Sequence, residues 1–205
     1  MPNTPLNQPI EGYDPAVSYI GLFGTCGTTT WRRDFIQTFE DLAIAYYNPQ
    51  VAEWTPELAK LEARHLVSDD IILFPVTGQT YGTGSLAETG FSILQVLKSI
   101  QNAQTYRKVI VYIEQGLDQQ LVADNPVAAK ESSRARALVA AHLDHVKDPN
   151  VYVVKSMQEM LALSIQLYPA VVAMRRACDA QQAAQRMLDD VRNTYTAGPS
   201  PEGPG

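Results

Sequence analysis

From residue 17 onward, short runs of apolar, β-branched and aromatic side chains alternate with longer stretches in which apolar positions recur every three or four residues. The first run, VSYIGLF (17–23), predicts a strand. WRRDFIQTFEDLAIA (31–45) predicts a helix with Phe35, Phe39 and Leu42 on one face. YYNP (46–49) reads as a short strand, and TPELAKLEARHLVS (55–68) as a helix with Thr55 at the N-cap and Pro56 at the first helical position. DIILFPVT (70–77) is almost wholly apolar, which suits a strand buried on both faces. A helix over SLAETGFSILQVLKSIQ (85–101), a strand over KVIVYIE (108–114), a helix over NPVAAKESSRARALVAAHLDHV (125–146) and a strand over NVYVVK (150–155) complete the series.

Strands separated by helices of this length require right-handed crossovers and a parallel sheet covered on both faces. Five strands predict an α/β, flavodoxin-like (Rossmann-like) doubly wound sheet. Ligands of such sheets lie beyond the carboxyl ends of the strands, so loops 24–31, 48–54 and 77–85 are expected to share one mouth. After 155 the pattern predicts a helix interrupted near Pro169 and then a long C-terminal helix over about 170–194. Along the latter, Ala173, Ala177, Ala180, Ala184, Met187 and Val191 recur at alternating spacings of four and three. This is a narrow seam of small side chains that lets another helix approach closely, either by packing on the chain's own core or, the reading favoured, by joining a homo-oligomer through this helix. Residues 1–16 and 196–205, rich in Pro and Gly and without periodicity, are expected to be a flexible arm and a disordered tail around a single domain at 17–195.

Composition narrows the function. The chain has 205 residues, 45% hydrophobic and 19% charged, with a formal net charge of -6. Its basic residues never cluster beyond pairs such as Arg32–Arg33 and Arg175–Arg176, so no face is offered to a nucleic-acid polymer. Neither a basic start followed by an apolar run nor a span of about eighteen apolar residues is present, which predicts a cytoplasmic chain with no membrane partner. Cys26 and Cys178 lie far apart without metal-ligand spacing, and His142 and His145 have no evident third ligand. No metal or cofactor is implied.

Two stretches carry candidate chemistry. GTCGTTTWR (24–32) leaves the first strand with glycines and threonines that can present backbone N–H groups to an anion at a helix start, although no Gly-Lys-Ser/Thr follows. Cys26 and Arg32 have the spacing of cysteine-dependent phosphatases and resemble the low-molecular-weight tyrosine phosphatases. However, Arg33 stands where that pattern has Ser or Thr, and no suitably placed Asp-Pro acid appears. The second stretch, GTGSLAETG (82–90), sets Glu88 among small residues after a buried strand. If the helix begins near Ser85, Glu88 lies in its first turn, either as the far end of a Ser-x-x-Glu capping box or as a carboxylate aimed at the crevice.

GLFGTCGTTTWR, YYNPQVAEWTPELAKLE, DDIILFPVT and YGTGSLAETGFSI, taken in order over about residues 18–115, resemble the nucleoside 2-deoxyribosyltransferase-like proteins. The resemblance implies a flavodoxin-like fold, Glu88 as nucleophile, and cleavage or transfer at the N-glycosidic bond of a (deoxy)nucleoside or nucleotide. Such a reaction passes through an oxocarbenium-like state that a carboxylate can trap, and it needs a proton donor for the leaving base. Glu57 and Glu62, on the helix opened by WTPE, are the candidates, the family pattern favouring the deeper Glu62. Gly24, Thr25 and Gly27 can approach a sugar or phosphate, Ser85 can offer a hydroxyl, and Arg32 can meet a 5′-phosphate. Asn48 can bond a base edge or ribose, and Trp54 and Tyr81 can stack on a base. The alternatives are a non-catalytic nucleotide-binding sensor, as in a defence or toxin assembly, and the Cys26–Arg32 phosphatase.

Overall fold

In the computed structural model, which describes residues 12–196 apart from Thr28, Trp54 and 102–105, the apolar runs form five strands. They are β1 (Ile20–Leu22), β2 (Tyr46–Tyr47), β3 (Ile71–Val76), β4 (Lys108–Ile113) and β5 (Val151–Val153). Every pairing is parallel and the order is β2-β1-β3-β4-β5, the flavodoxin-like arrangement. The helices are α1 (Arg32–Asp41), α2 (Pro56–Ser68), α3 (Thr83–Gln101), α4 (Gln119–Asp124), α5 (Pro126–Leu143) and α6 (Met157–Thr196). None is long and apolar enough to cross a membrane.

Side chains that alternate along the strands divide the core into two layers. Ile71 and Leu73 of β3 face one way, with Ile20 and Leu22 of β1, onto Phe35 and Phe39 of α1 and Met160 and Val171 of α6. Ile72 and Phe74 face the other way, with Val109 and Val111 of β4, onto Ile93 and Val96 of α3 and Leu143 of α5. All six residues of β3 are buried, as expected for a central strand covered on both faces.

The main departures from the sequence pattern are in four elements. Helix α1 stops at Asp41 rather than running to 45, because Ala43 takes a left-handed conformation (φ 53°) and Ile44 N–H donates back to Phe39 O at 2.8 Å. This is a Schellman-type end in which Ile44 and Phe39 join the same core. The pattern missed α4, whose six residues are too few to show a period. Helix α3 begins at Thr83, earlier than Ser85. The expected interruption at Pro169 does not occur: α6 is one 40-residue helix. Proline there removes the bond to the carbonyl four residues back, but fully buried Ser164 and Val171 on either side hold both halves against the body.

The N-terminal segment from 12 is placed against that body. The Tyr13 ring meets His65 edge-on at 5.0 Å, and the Arg175 guanidinium donates to Pro15 O and, at 2.8 Å, to Val17 O.

Candidate active site

Strands β1 and β3 are neighbours from which the chain departs in opposite directions, and a cleft of about 180 Å³ opens beyond their carboxyl ends. Phe23, Gly24 and Cys26 line it from the β1 loop, Pro49 from the β2 loop, Glu62 from α2, and Gly84, Ser85 and Glu88 from α3. The three loops expected at one mouth do meet there.

The β1 loop is fastened from inside. Gly24 has φ 95°, and a Cβ on it would run into the Pro75 carbonyl oxygen, so only glycine allows β1 and β3 to approach this closely. Thr25 N–H donates to Pro75 O at 2.9 Å, and the Thr25 hydroxyl pairs with that of Thr77 at 2.9 Å. Arg32, 2% exposed, threads under the loop and donates to Leu22 O at 2.9 Å, Thr25 O at 2.8 Å and Gly24 O at 3.4 Å. Its Nη2 also lies 3.2 Å from Cys26 Sγ. The Cys26–Arg32 contact of the phosphatase pattern is therefore present, but the guanidinium is already engaged by backbone carbonyls that an incoming phosphate would have to displace. Trp31 Nε1 donates to Thr25 O at 3.0 Å and its ring joins the core.

Glu88 is set by the start of α3. Leu86 N–H donates to Gly82 O at 2.9 Å, which makes Gly82 the N-cap and Ser85 the third helical residue. Glu88 then falls in the second turn, and the first turn holds no acid. The capping-box expectation is overturned: Gly82, at φ 65°, turns the chain into the helix three residues before Ser85, leaving Glu88 too far along to bond a terminal N–H. Glu88 stands open to solvent on the cleft side.

Electrostatics distinguish the two acids of the cleft. Burial raises the proton affinity of the half-buried Glu62, opposed by the nearby Arg32 charge. Glu88 is raised as well, first by desolvation in the cleft and then by the negative charge of Glu62. Two like charges facing one small space favour states in which one of them keeps a proton.

The other residues singled out in the sequence lie around the cleft rather than on its wall. Asn48 accepts from Gln50 N–H at 3.1 Å, and Gln50 Nε2 reaches across to Gly27 O at 2.9 Å, clasping the β1 and β2 loops together. The Tyr81 hydroxyl donates to Leu121 O at 2.9 Å, so it ties the β3 loop to α4. Glu57 is exposed in the first turn of α2, away from the lining. Trp54 lies outside the described residues.

Sequence reasoning missed Arg136. Fully buried on α5, it donates through Nη1 to Val76 O (2.9 Å) and Glu114 O (2.7 Å), and through Nη2 to Thr77 O (2.9 Å) and Thr80 O (2.8 Å). Its Nε meets Ser132 Oγ at 3.2 Å, which itself donates to Tyr81 O at 2.7 Å. One side chain thereby satisfies the carbonyls of the loop that leads into α3. Glu114 completes the brace by accepting from Gly78 N–H at 2.6 Å. No spacing in the sequence signals the bonds to the four carbonyls, whose acceptors lie 22 to 60 residues away.

Fold and cleft together define a flavodoxin-like α/β domain with a carboxylate-lined site at its topological switch point. Residues 19–105 match the family described as nucleoside 2-deoxyribosyltransferase like, a segment that runs from β1 to just beyond α3 and contains every residue lining the cleft. No curated protein and no solved structure gives a significant match.

Proposed function

We propose that this cleft cleaves the N-glycosidic bond of a (deoxy)nucleoside or nucleotide, with Glu88 as nucleophile and Glu62 as general acid and base. The observation that carries the reading is the meeting of these two carboxylates, from separate helices, beside Gly24 and Ser85 in one cleft of the matched segment. Between the two candidate acids of α2, position favours Glu62, since Glu57 is not on the lining.

In the first half-reaction a Glu88 carboxylate oxygen bonds to C1′ as the C1′–N bond breaks; the electron pair leaves with the base nitrogen, which takes the Glu62 proton. In the second, ionised Glu62 accepts a proton from water or from the N–H of an acceptor base, whose lone pair attacks C1′ and frees Glu88. Two inversions retain the anomeric configuration. With water as acceptor the chain is an N-glycoside hydrolase, and with a base it is a transferase. The raised proton affinity of Glu62 suits a group that must donate first.

At about 180 Å³ the cleft is smaller than the roughly 300–1,000 Å³ of sites that enclose a drug-sized ligand, which fits a sugar ring with its base extending to the mouth. Gly24 and Ser85 contact that sugar, while Thr25, Gly27, Arg32, Asn48 and Tyr81 keep the surrounding loops in place. The working form is a homo-oligomer joined through α6.

The test is chromatographic. The protein is incubated with ribo- and deoxyribonucleosides, their 5′-monophosphates and one free acceptor base, with Glu88→Ala and Glu88→Gln in parallel. Released base or a new nucleoside, falling about a thousandfold or more in both variants, is the expected result. Turnover that survives in the variants sinks the reading, and saturable binding without product favours a sensor.

A further inference from the structure

Helix α6 leaves the body part-way along its length. Val171 is fully buried and Arg175 is tied to Asp70 at 2.9 Å, yet every residue from Asp179 to Tyr195 is exposed. A helical stretch of about 25 Å is thus exposed among the described residues, and helices of that length are marginal alone in water. At 100° per residue, Val171, Arg175 and Cys178 mark the body-facing side, and the seam of Ala173, Ala177, Ala180, Ala184, Met187 and Val191 lies on the opposite side. A second helix can therefore lie along the seam without meeting the body.

Resting on the reading of α6 as a subunit contact, we propose that two copies of this chain pair through α6 in antiparallel fashion, about a two-fold axis passing near Gln182. The seam is self-complementary in this register alone of the two simple ones. Antiparallel pairing sets Ala177 against the partner's Met187, Ala173 against the partner's Val191, and Ala180 against the partner's Ala184, small against large at the ends and small against small at the axis. It also brings Arg176 beside the partner's Asp190 on one flank and Met174 beside the partner's Leu188 on the other. Because the axis repeats each contact, the ion pair and the apolar pair each occur twice. Met174, Met187, Leu188 and Val191, between 41% and 69% exposed in the single chain, are covered together. Parallel pairing stacks alanine on alanine and methionine on methionine, and sets Arg176 beside the partner's uncharged Gln181.

Light scattering on the full chain is expected to give twice the 22.6 kDa chain mass at micromolar concentration. Arg176→Asp and Asp190→Arg are each expected to weaken the dimer about tenfold, and the two combined in one chain to restore it, since each reversed charge again meets its opposite. In a Cys26→Ser, Cys178→Ala background, a mixture of Ala180→Cys and Ala184→Cys chains forms an oxidised heterodimer, whereas Ala184→Cys alone does not cross-link. A monomer overturns both the pairing and the use of α6 as a subunit contact. A dimer in which Ala184→Cys links to itself, or which ignores the charge reversals, overturns the antiparallel pairing while leaving an oligomer standing.

Discussion

Glu62 of α2 and Glu88 of α3 face one cleft, and the charge of the first raises the proton affinity of the second. Among the described residues, neither acid has an intimate cationic partner: Arg32 lowers the proton affinity of Glu62 by its charge, but its donors are directed to carbonyls and Cys26.

This coupling has a kinetic signature. A nucleophilic Glu88 must be ionised, so kcat/KM should fall on the acid side around a pKa above the ordinary 4.5 of a glutamate. Glu62→Gln removes the proton donor, so kcat drops by about 10²–10⁴ for substrates whose base needs a proton, and the alkaline limb set by ionisation of Glu62 disappears while the acid limb set by Glu88 stays, because the donor is uncharged in the active state. A pH–rate profile of wild type and variant reads both limbs, and an alkaline limb that persists in Glu62→Gln counts against the pairing.

Arg136 offers a test of the brace behind the cleft. Arg136→Met keeps the apolar stem but strands the carbonyls of Val76, Thr77, Thr80 and Glu114, so unfolding in urea should reveal a loss of about 3–5 kcal/mol. Arg136→Lys cannot reach four carbonyls from one ammonium and should recover only part of the loss.

Gly82 links backbone to chemistry. An added Cβ would lie 2.8 Å from Val76 Cγ1 and 3.1 Å from Arg136 Nη2, at a φ that side chains other than glycine rarely take. Gly82→Ala is expected to lose about 1–3 kcal/mol of stability and to reduce kcat more than it raises KM, because α3 carries Glu88 from this point. Parallel denaturation and kinetics separate the two effects.

At the opposite end of the strands, burial raises Asp69 to about 6 from the ordinary 3.8, although its hydrogen bond to His65 Nδ1 at 2.7 Å works the other way. The folded state therefore binds this proton more tightly than the unfolded chain does. The contribution of Asp69 to stability is fully present below about pH 3.8 and is lost as pH rises through about 6. Asp69→Asn should remove a decline of about 2–3 kcal/mol between those limits, measured as the difference between the two stability–pH curves.

Much of the architecture is legible from periodicity because each strand is bounded by an amphipathic helix, and a parallel five-stranded sheet then has few topologies open to it. Boundaries are less legible where a single backbone angle decides them. Ala43 ends α1 in a conformation usually held by glycine, and Gly82 starts α3 ahead of Ser85, which otherwise resembles a cap. Of the candidate site, Gly24, Glu62, Ser85 and Glu88 reach the cleft wall, each lying at or just beyond a strand end or on a helix that follows one. Arg32 and Tyr81 look like ligand-binding residues in sequence but bond backbone carbonyls, a choice set by which acceptors the fold brings within reach. Arg136 left no trace in the pattern for the same reason.

Among the described residues, the cleft wall is drawn from residues 23 to 88, while β4, β5, α5 and α6 contribute buttressing but none of its lining. If the cleft is the proposed site of reaction, chemical constraint is concentrated in the first half of the chain, and the second half answers mainly to packing. Sequence drift in the latter, as long as volume and the Arg136 brace are kept, leaves the cleft wall untouched. This division makes the domain a natural recipient for grafting: exchanging the β1, β2 and β3 loops would remake the cleft wall, and exchanging α6 would alter only the proposed pairing of chains.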